Sequence, residues 1–291
     1  MSGSGDFTTR EPLARFRVPE SLDGERLDRA LAAAVPGLSR GRARKLAEAG
    51  SVFVDRVRVR ICSRAVRASQ EIVCYELAPV VSETPAVVLE TGDFIILDKP
   101  AGMPVEPTRS GVSGTVSGWL EKGIPGGGLI THRLDAATSG LLVVARHQKA
   151  QAVLNRMFGS HEIRRYYVGV VSPPPAWSLK TVEMPLDGRP AVTHARVLSR
   201  SPRAAALVLE LETGRTRQIR RHLASEGSPV AGDTAGGGVK AARLLLHACW
   251  IRFEWEGRPV LAHAPVPAAW KPELDRFDVT VPPLERPDGS G

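Results

Sequence analysis

The sequence predicts an α+β fold in two domains, and three observations carry that prediction. Residues 13–76 hold two short amphipathic stretches followed by valines alternating with arginines. Residues 77–86 contain Pro79 and Pro85 and little periodicity, the composition of a linker. Beyond them come continuous apolar runs of strand length, most clearly Leu141-Leu142-Val143-Val144-Ala145, with a long helical stripe after it. A chain of 291 residues has room for both domains.

In order along the chain, Leu27, Ala30, Leu31 and Ala34 fall at helical spacing, and Pro36-Gly37 stops that helix. Ser39 stands where it caps a second helix, Arg40 to Ala49, with Ala43 and Leu46 inward, Arg40 and Arg44 outward and Gly50 at the C-terminal end. Val52, Val54, Val57, Val59 and Ile61 then interleave with Arg56, Arg58 and Arg60, a period of two that sets the arginines on one face. Such a row suits a phosphate backbone.

The larger domain spans 87–281. Val87 to Leu97 predicts one strand that ends in a loop fixed by Gly and Pro, Asp98-Lys99-Pro100-Ala101-Gly102. Residues 110–128 are rich in Gly and Ser without the spacing of a phosphate-binding loop, so no nucleotide cofactor is expected. Ala150, Val153, Leu154, Met157 and Phe158 make the stripe of a core helix. Strands are expected at Arg165–Val171, with Tyr167 and Gly169 on one face, then at His194–Ser199, Ala206–Glu212 and Leu244–Phe253. From Thr216 a helix is expected, with Arg217, Arg220 and Arg221 clustered on one side. Residues 282–291 read as a loose tail.

Composition narrows the function. A net charge of +8 suits a polyanionic partner, because lysines and arginines gain affinity by releasing counterions from phosphates. Cys62, Cys74 and Cys249 form neither an even set nor a Cys-x-x-Cys pair, which points away from disulfides and zinc and toward a reducing compartment. No signal-peptide or membrane-spanning run is present, so a cytoplasmic, non-membrane protein, acting as a monomer, is expected.

The segment Thr131-His132-Arg133-Leu134-Asp135-Ala136-Ala137-Thr138-Ser139-Gly140 leads straight into the most continuous apolar run. Asp135, set among small residues, is thereby held at the rim of a rigid element, where a reacting group belongs. Capping a turn, or pairing with Arg133, is the alternative the segment alone leaves open.

Four strings taken together resemble the RluA family of pseudouridine synthases: His132-Arg133-Leu134-Asp135-x-x-Thr138-Ser139-Gly140, Arg165-x-Tyr167-x-Gly169, Gly214-Arg215-Thr216-x-Gln218-Ile219-Arg220 and Leu246-His247-Ala248. The resemblance implies a mixed, largely antiparallel central sheet with flanking helices. It also implies Asp135 as the catalytic residue, with Tyr167 and Arg220 lining the same pocket and Arg133 entering the RNA stack as the target uridine is flipped out. Up to about Tyr75, the strings Arg26-Leu27-Asp28, Leu38-Ser39-Arg40, Ala43-Arg44-Lys45-Leu46 and Gly50-Ser51-Val52-Phe53-Val54 resemble the small RNA-binding domain of ribosomal protein S-four. There, Arg40, Arg44, Lys45, Arg56, Arg58 and Arg60 are the expected RNA contacts, joined in the larger domain by Arg215, Arg217 and Arg221. The chain departs from the family pattern at Glu106, Arg217 and Ala235, positions that bear on substrate choice.

The chemistry is consistent with what the resemblance implies. Isomerising uridine breaks the base–sugar bond, turns the ring and rejoins it through carbon, so neither cofactor nor energy source is called for. One carboxylate suffices, attacking ribose C1′ or removing the C2′ proton, and the sequence leaves both routes open. Either needs Asp135 ionised, a form that a neighbouring guanidinium favours, and Arg220 is the candidate neighbour. The expected partner is RNA, ribosomal before transfer. A non-catalytic RNA-binding or ribosome-assembly factor is the alternative. A glycosidase is disfavoured because no second acid accompanies Asp135 in the motifs, and a metalloenzyme because the His residues lack ligand spacing.

Overall fold

The computed structural model describes residues 11–77, 83–109, 111–284 and 286. The expected linker falls partly, and the expected tail mostly, outside the described residues. The chain divides into two compact units, Met1–Ser82 with Pro104–Gly127, and Glu83–Met103 with Gly128–Gly291.

In the first unit, β1 (Ala14–Arg17) is followed by α1 (Leu27–Ala34), α2 (Arg40–Glu48), β2 (Val52–Val54), β3 (Val57–Val59) and β4 (Glu71–Cys74). The sheet is antiparallel in the order β1-β4-β2-β3. Leu27, Ala30 and Leu31 of α1 and Ala43, Leu46 and Ala47 of α2 are buried with Val52, Val54 and Ile72 in one core, as the helical stripes predict. The Ser39 side chain accepts from the Arg42 N–H at 3.2 Å and caps α2. Asp28, buried in α1, accepts from Arg26 at 3.0 Å and Arg40 at 3.1 Å, and these bonds, Arg26's foremost, hold its carboxyl down at about 2.

The segment 104–127, which the sequence reading assigns to the larger domain, packs in this first unit. Val112 donates its N–H to Ala49 O at 2.7 Å, and Arg58 bonds the carbonyls of Gly50 and Thr108 while lying over the Phe53 ring. Its helix α3 (Val116–Gly123) is capped by Thr115, which accepts from Gly118 N–H at 3.1 Å.

The second unit is built on a sheet whose main path runs β10-β11-β12-β9-β13-β8-β6-β5. In chain order its strands are β5 (Ala86–Glu90), β6 (Phe94–Lys99), β7 (Leu129–Ile130), β8 (Ser139–Ala145), β9 (Arg164–Val171), β10 (Leu179–Glu183), β11 (Val192–Arg200), β12 (Ala205–Leu211), β13 (Leu246–Trp255) and β14 (Arg258–His263), with helices α4 (Gln148–Gly159), α5 (Gln218–Ser225) and α6 (Lys271–Phe277). Every pairing is antiparallel except β8 with β13, so the sheet is mixed and largely antiparallel. One apolar cluster packs Ala150, Leu154 and Met157 of α4 against Phe94, Leu141 and Phe253. A second gathers Val168, Val170, Leu245 and Trp270.

Two further expectations need correction, and two strands go unread in the sequence. The single strand read over 87–97 is a hairpin, because the Thr91 hydroxyl accepts the N–H groups of Asp93 and Phe94 and turns the chain there. The helix expected from Thr216 starts at Gln218, since Arg217 is left-handed at φ 54°. Strands β10 and β14 carry too little apolar alternation to be read; Leu179 and Arg258 are exposed. Among the described residues, no helix is long and apolar enough to cross a membrane.

Candidate active site

The parallel contact between β8 and β13 fixes the site. Gly140 sits opposite Ala248 at φ +110°, and a Cβ there would lie 2.3 Å from the Ala248 carbonyl oxygen, so only glycine allows the approach. The segment before β8 is then tied down on both sides. The Thr131 hydroxyl donates to Val143 O at 2.7 Å, and His132 Nε2 accepts from Val143 N–H at 2.9 Å. Asp135 closes the turn by accepting from Thr138 N–H through its carbonyl at 3.1 Å.

Lys99 clamps the same turn from beneath. It is fully buried, and Nζ donates to Met103 O at 2.8 Å, Pro100 O at 2.9 Å and Ala136 O at 3.2 Å. Burial pulls its pKa down to about 7. Three carbonyls nevertheless use all three N–H bonds of an ammonium, so the geometry is built for the charged form. Lys99→Met is expected to cost on the order of 1–3 kcal/mol for each carbonyl left without a donor and to lower kcat by loosening Asp135; thermal melts and turnover check both.

His247 anchors the other flank. Ser139 Oγ lies 2.9 Å from His247 Nδ1 and accepts from Arg243 at 2.6 Å, and His247 Nε2 lies 3.2 Å from Ala264 O. These contacts fit a neutral ring protonated on Nε2, and burial pushes its pKa down to about 4. As pH falls below His's ordinary value, the unfolded chain takes up a proton that the folded ring refuses until about 4. Stability is therefore expected to fall by about 1.4 kcal/mol per pH unit across that window from this residue. Urea melts of the wild type and His247→Gln read it, the variant having the shallower slope.

A cavity of about 380 Å³ opens above this frame, lined by Asp135, Tyr167 and Arg220 together with Arg133, Arg165, Arg215 and Arg217. The three residues expected to share a pocket do share one. Arg220 reaches it from α5, donating to Asp135 Oδ2 at 3.4 Å while its other nitrogens grip Asp233 at 2.8 and 2.5 Å. Asp233 is 3% exposed and also accepts from Gly236 N–H at 3.2 Å, so it is the stronger holder of the guanidinium. Tyr167 is buried, and its phenol is pushed up by burial, so it stays protonated. Gly169 faces Leu246 across the strand pair, which gives Leu246 room to enter the cavity wall.

Gln218 sets the loop carrying Arg215 and Arg217. Its Oε1 accepts from Thr213 Oγ1 at 2.7 Å and Arg215 N–H at 3.0 Å, and its Nε2 donates to Val192 O at 2.9 Å. The expected cluster of Arg217, Arg220 and Arg221 does not form. The left-handed turn at Arg217 takes it off the helix, Arg220 points inward, and Arg221 turns outward onto Asp187 at 3.0 Å.

The row expected from Arg56, Arg58 and Arg60 also divides. Arg58 is consumed by the Gly50 and Thr108 carbonyls, whereas Arg56 lies exposed in the β2–β3 turn and Arg60 is exposed, 3.4 Å from Glu121. Arg40, Arg44 and Lys45 are exposed on α2, with Arg44 paired to Glu48 at 2.6 Å. Sequence reasoning missed Lys99, Arg165 and Asp233 as site residues. For Asp233 the signal available was the pair Gly232-Asp233, where φ +86° at Gly232 marks a built turn.

The model for RNA pseudouridylate synthases matches residues 93–225, and the model for the S4 domain matches residues 25–72. An uncharacterized RNA pseudouridine synthase of Chloroflexus aurantiacus is 36% identical over 92% of this chain and 95% of its own length. Ribosomal large subunit pseudouridine synthase D of Xanthomonas campestris is 34% identical over 92% of this chain and 93% of its own. Among solved structures, human RNA pseudouridylate synthase domain containing 4 shares the fold at TM-score 0.59 and 19% identity, over 68% of this chain and 94% of its own. With that fold, those relatives across nearly the whole chain and the two matched domains, this chain belongs to the RNA pseudouridine synthases of the RluA family and carries an N-terminal S4 domain.

Proposed function

We propose that this synthase isomerises uridines of large-subunit ribosomal RNA in the cytoplasm, with Asp135 as its catalytic carboxylate. The observation that carries the catalytic reading is the chain Asp233–Arg220–Asp135 at the wall of one cavity. It keeps a cation against Asp135 without neutralising it, because Arg220 is already held by Asp233. Asp135 then acts at the sugar, on C1′ or on the C2′ proton, while Tyr167 as a neutral phenol supports the everted uracil and offers its hydroxyl as the C5 proton is lost.

Flipping the nucleotide costs a few kcal/mol of unstacking. Arg133, exposed at the cavity rim, is suited to fill the vacated stack, and Arg215 and Arg217 to hold the flanking phosphates. Arg221, Arg44, Lys45, Arg56 and Arg60 supply outer phosphate contacts, since exposed ion pairs such as Arg221–Asp187 are weak enough to exchange for RNA, whereas Arg40 keeps its bond to buried Asp28 and offers RNA only the exposed remainder of its guanidinium. One chain supplies all these side chains, which is what a monomer requires.

Ribosomal RNA is supported by the names of the Xanthomonas campestris and Nitrosomonas europaea relatives, 34% and 33% identical. Deleting the gene in its host and mapping pseudouridines in both RNA classes tests it. Sites lost from large-subunit rRNA are expected; loss from transfer RNA alone would overturn the substrate assignment.

A further inference from the structure

Arg165 is the one residue of the cavity wall whose charge the fold buries and leaves largely unanswered. It is 8% exposed, its Nη2 finds Thr213 O at 3.3 Å, and its Nε has no hydrogen-bond partner. A buried guanidinium in that condition costs several kcal/mol unless an anion answers it. The Phe158 ring lies 5.6 Å away and offers only a ring face. Loop residue Gly214 leaves the approach open, since a Cβ there would stand 2.8 Å from Nη1.

Position says which anion. On β9, Arg165 and Tyr167 project from the same face, two residues apart, with Gly169 and its neighbour Leu246 next in line. Asp135, Tyr167 and Arg165 line one cavity, and the Tyr167 phenol, pushed up chiefly by burial, is lowered by Arg165 and raised by Asp135. A uracil resting on Tyr167 with its sugar at Asp135 therefore extends toward Arg165.

Resting on the catalytic reading above, we propose that Arg165 stabilises the negative charge that builds on the uracil as it leaves the sugar. When the C1′–N1 bond breaks, its electron pair departs with the base and spreads over N1, O2 and O4. C1′ is compensated either by a new bond to an Asp135 oxygen or by a C1′=C2′ double bond formed as Asp135 takes the C2′ proton. Both routes release the same uracil anion; as its C5 bonds to C1′, either the Asp135–C1′ bond breaks and frees the carboxylate or Asp135 returns the proton to C2′ and the double bond closes, after which C5 loses its proton and N1 gains one. A preorganised donor aimed at charge that exists only after bond breaking is the arrangement that lowers a barrier most.

The test compares two substrates in single-turnover reactions with the full-length protein. One is uridine RNA; the other carries 5-fluorouridine, whose ring bears the anion better unaided, at slightly acidic pH so that N3 stays protonated. Loss of the N-linked nucleoside is read by nucleoside mass spectrometry for both, because fluorine at C5 leaves no proton to shed and the 5-fluoro product stays a C5-linked adduct. Arg165→Met is expected to slow uridine roughly a hundredfold, the scale of losing one such donor, with RNA affinity unchanged. On 5-fluorouridine the loss should shrink to less than about tenfold, and Arg165→Lys should fall between. Equal losses on both substrates, or a loss confined to RNA affinity, would overturn the proposal. If Arg165→Met does not fold, Arg165→Lys carries the same comparison. Asp135→Asn separates the two readings: dead on both substrates, it leaves the catalytic reading standing whatever Arg165 does, whereas turnover by Asp135→Asn would sink that reading itself.

Discussion

Asp135→Ala is expected to abolish release of tritium from RNA labelled at uracil C5 while leaving RNA affinity within about twofold, because the lost group acts on the sugar and not on phosphates. The variant should fold. The turn around Asp135 is held by Lys99, Thr131, His132 and Gly140, and the Asp135 side chain contributes one bond of 3.4 Å from Arg220. Measurable turnover by Asp135→Ala would remove the carboxylate from the mechanism.

The second large effect is expected at Asp233, which touches no substrate. Asp233→Ala leaves the Arg220 guanidinium, 12% exposed, without its bidentate partner. Breaking a buried ion pair on one side costs about 3–5 kcal/mol, so a clear drop in melting temperature should accompany the change. Freed Arg220 then collapses onto Asp135, and a displacement of that kind lowers kcat by about a hundredfold. Because the two residues act as one unit, Asp233→Ala should add little to the kcat loss of Arg220→Met, and a double-mutant cycle reads this directly. Additive losses would show that Asp233 acts elsewhere.

The site was legible in the sequence where it rests on local strings. Asp135 stands at the mouth of a buried strand, Tyr167 sits on a strand whose Gly169 continues the same face, and both follow from periodicity and the resemblance. What the sequence hid depends on partners far along the chain. Asp233 is 13 residues from Arg220, and no periodicity links a turn aspartate to a helix arginine. Lys99 reads as one end of a Gly-Pro loop, and only folding brings Ala136 O to it. Arg217 and Arg221 are helix-spaced in sequence, yet a single left-handed residue separates their directions.

The smaller unit teaches the same lesson with surface charge. A period of two marks Val52, Val54 and Val59, which are buried, but also Val57 and Ile61, which are exposed. It cannot tell that the carbonyls of Gly50 and Thr108 claim Arg58, because Thr108 arrives from a segment 50 residues away. Positive charge on one strand face is thus divided between holding the domain together and facing solvent.

The most direct measurement is a crystal structure of the protein with an RNA that carries 5-fluorouridine at the target position. The account requires the nucleotide out of the stack, its base on Tyr167 and its C1′ or C2′ about 3–3.5 Å from an Asp135 oxygen, the distance of a reacting pair. A target nucleotide still stacked in its helix, or one bound with Asp135 remote from the ribose, would contradict it.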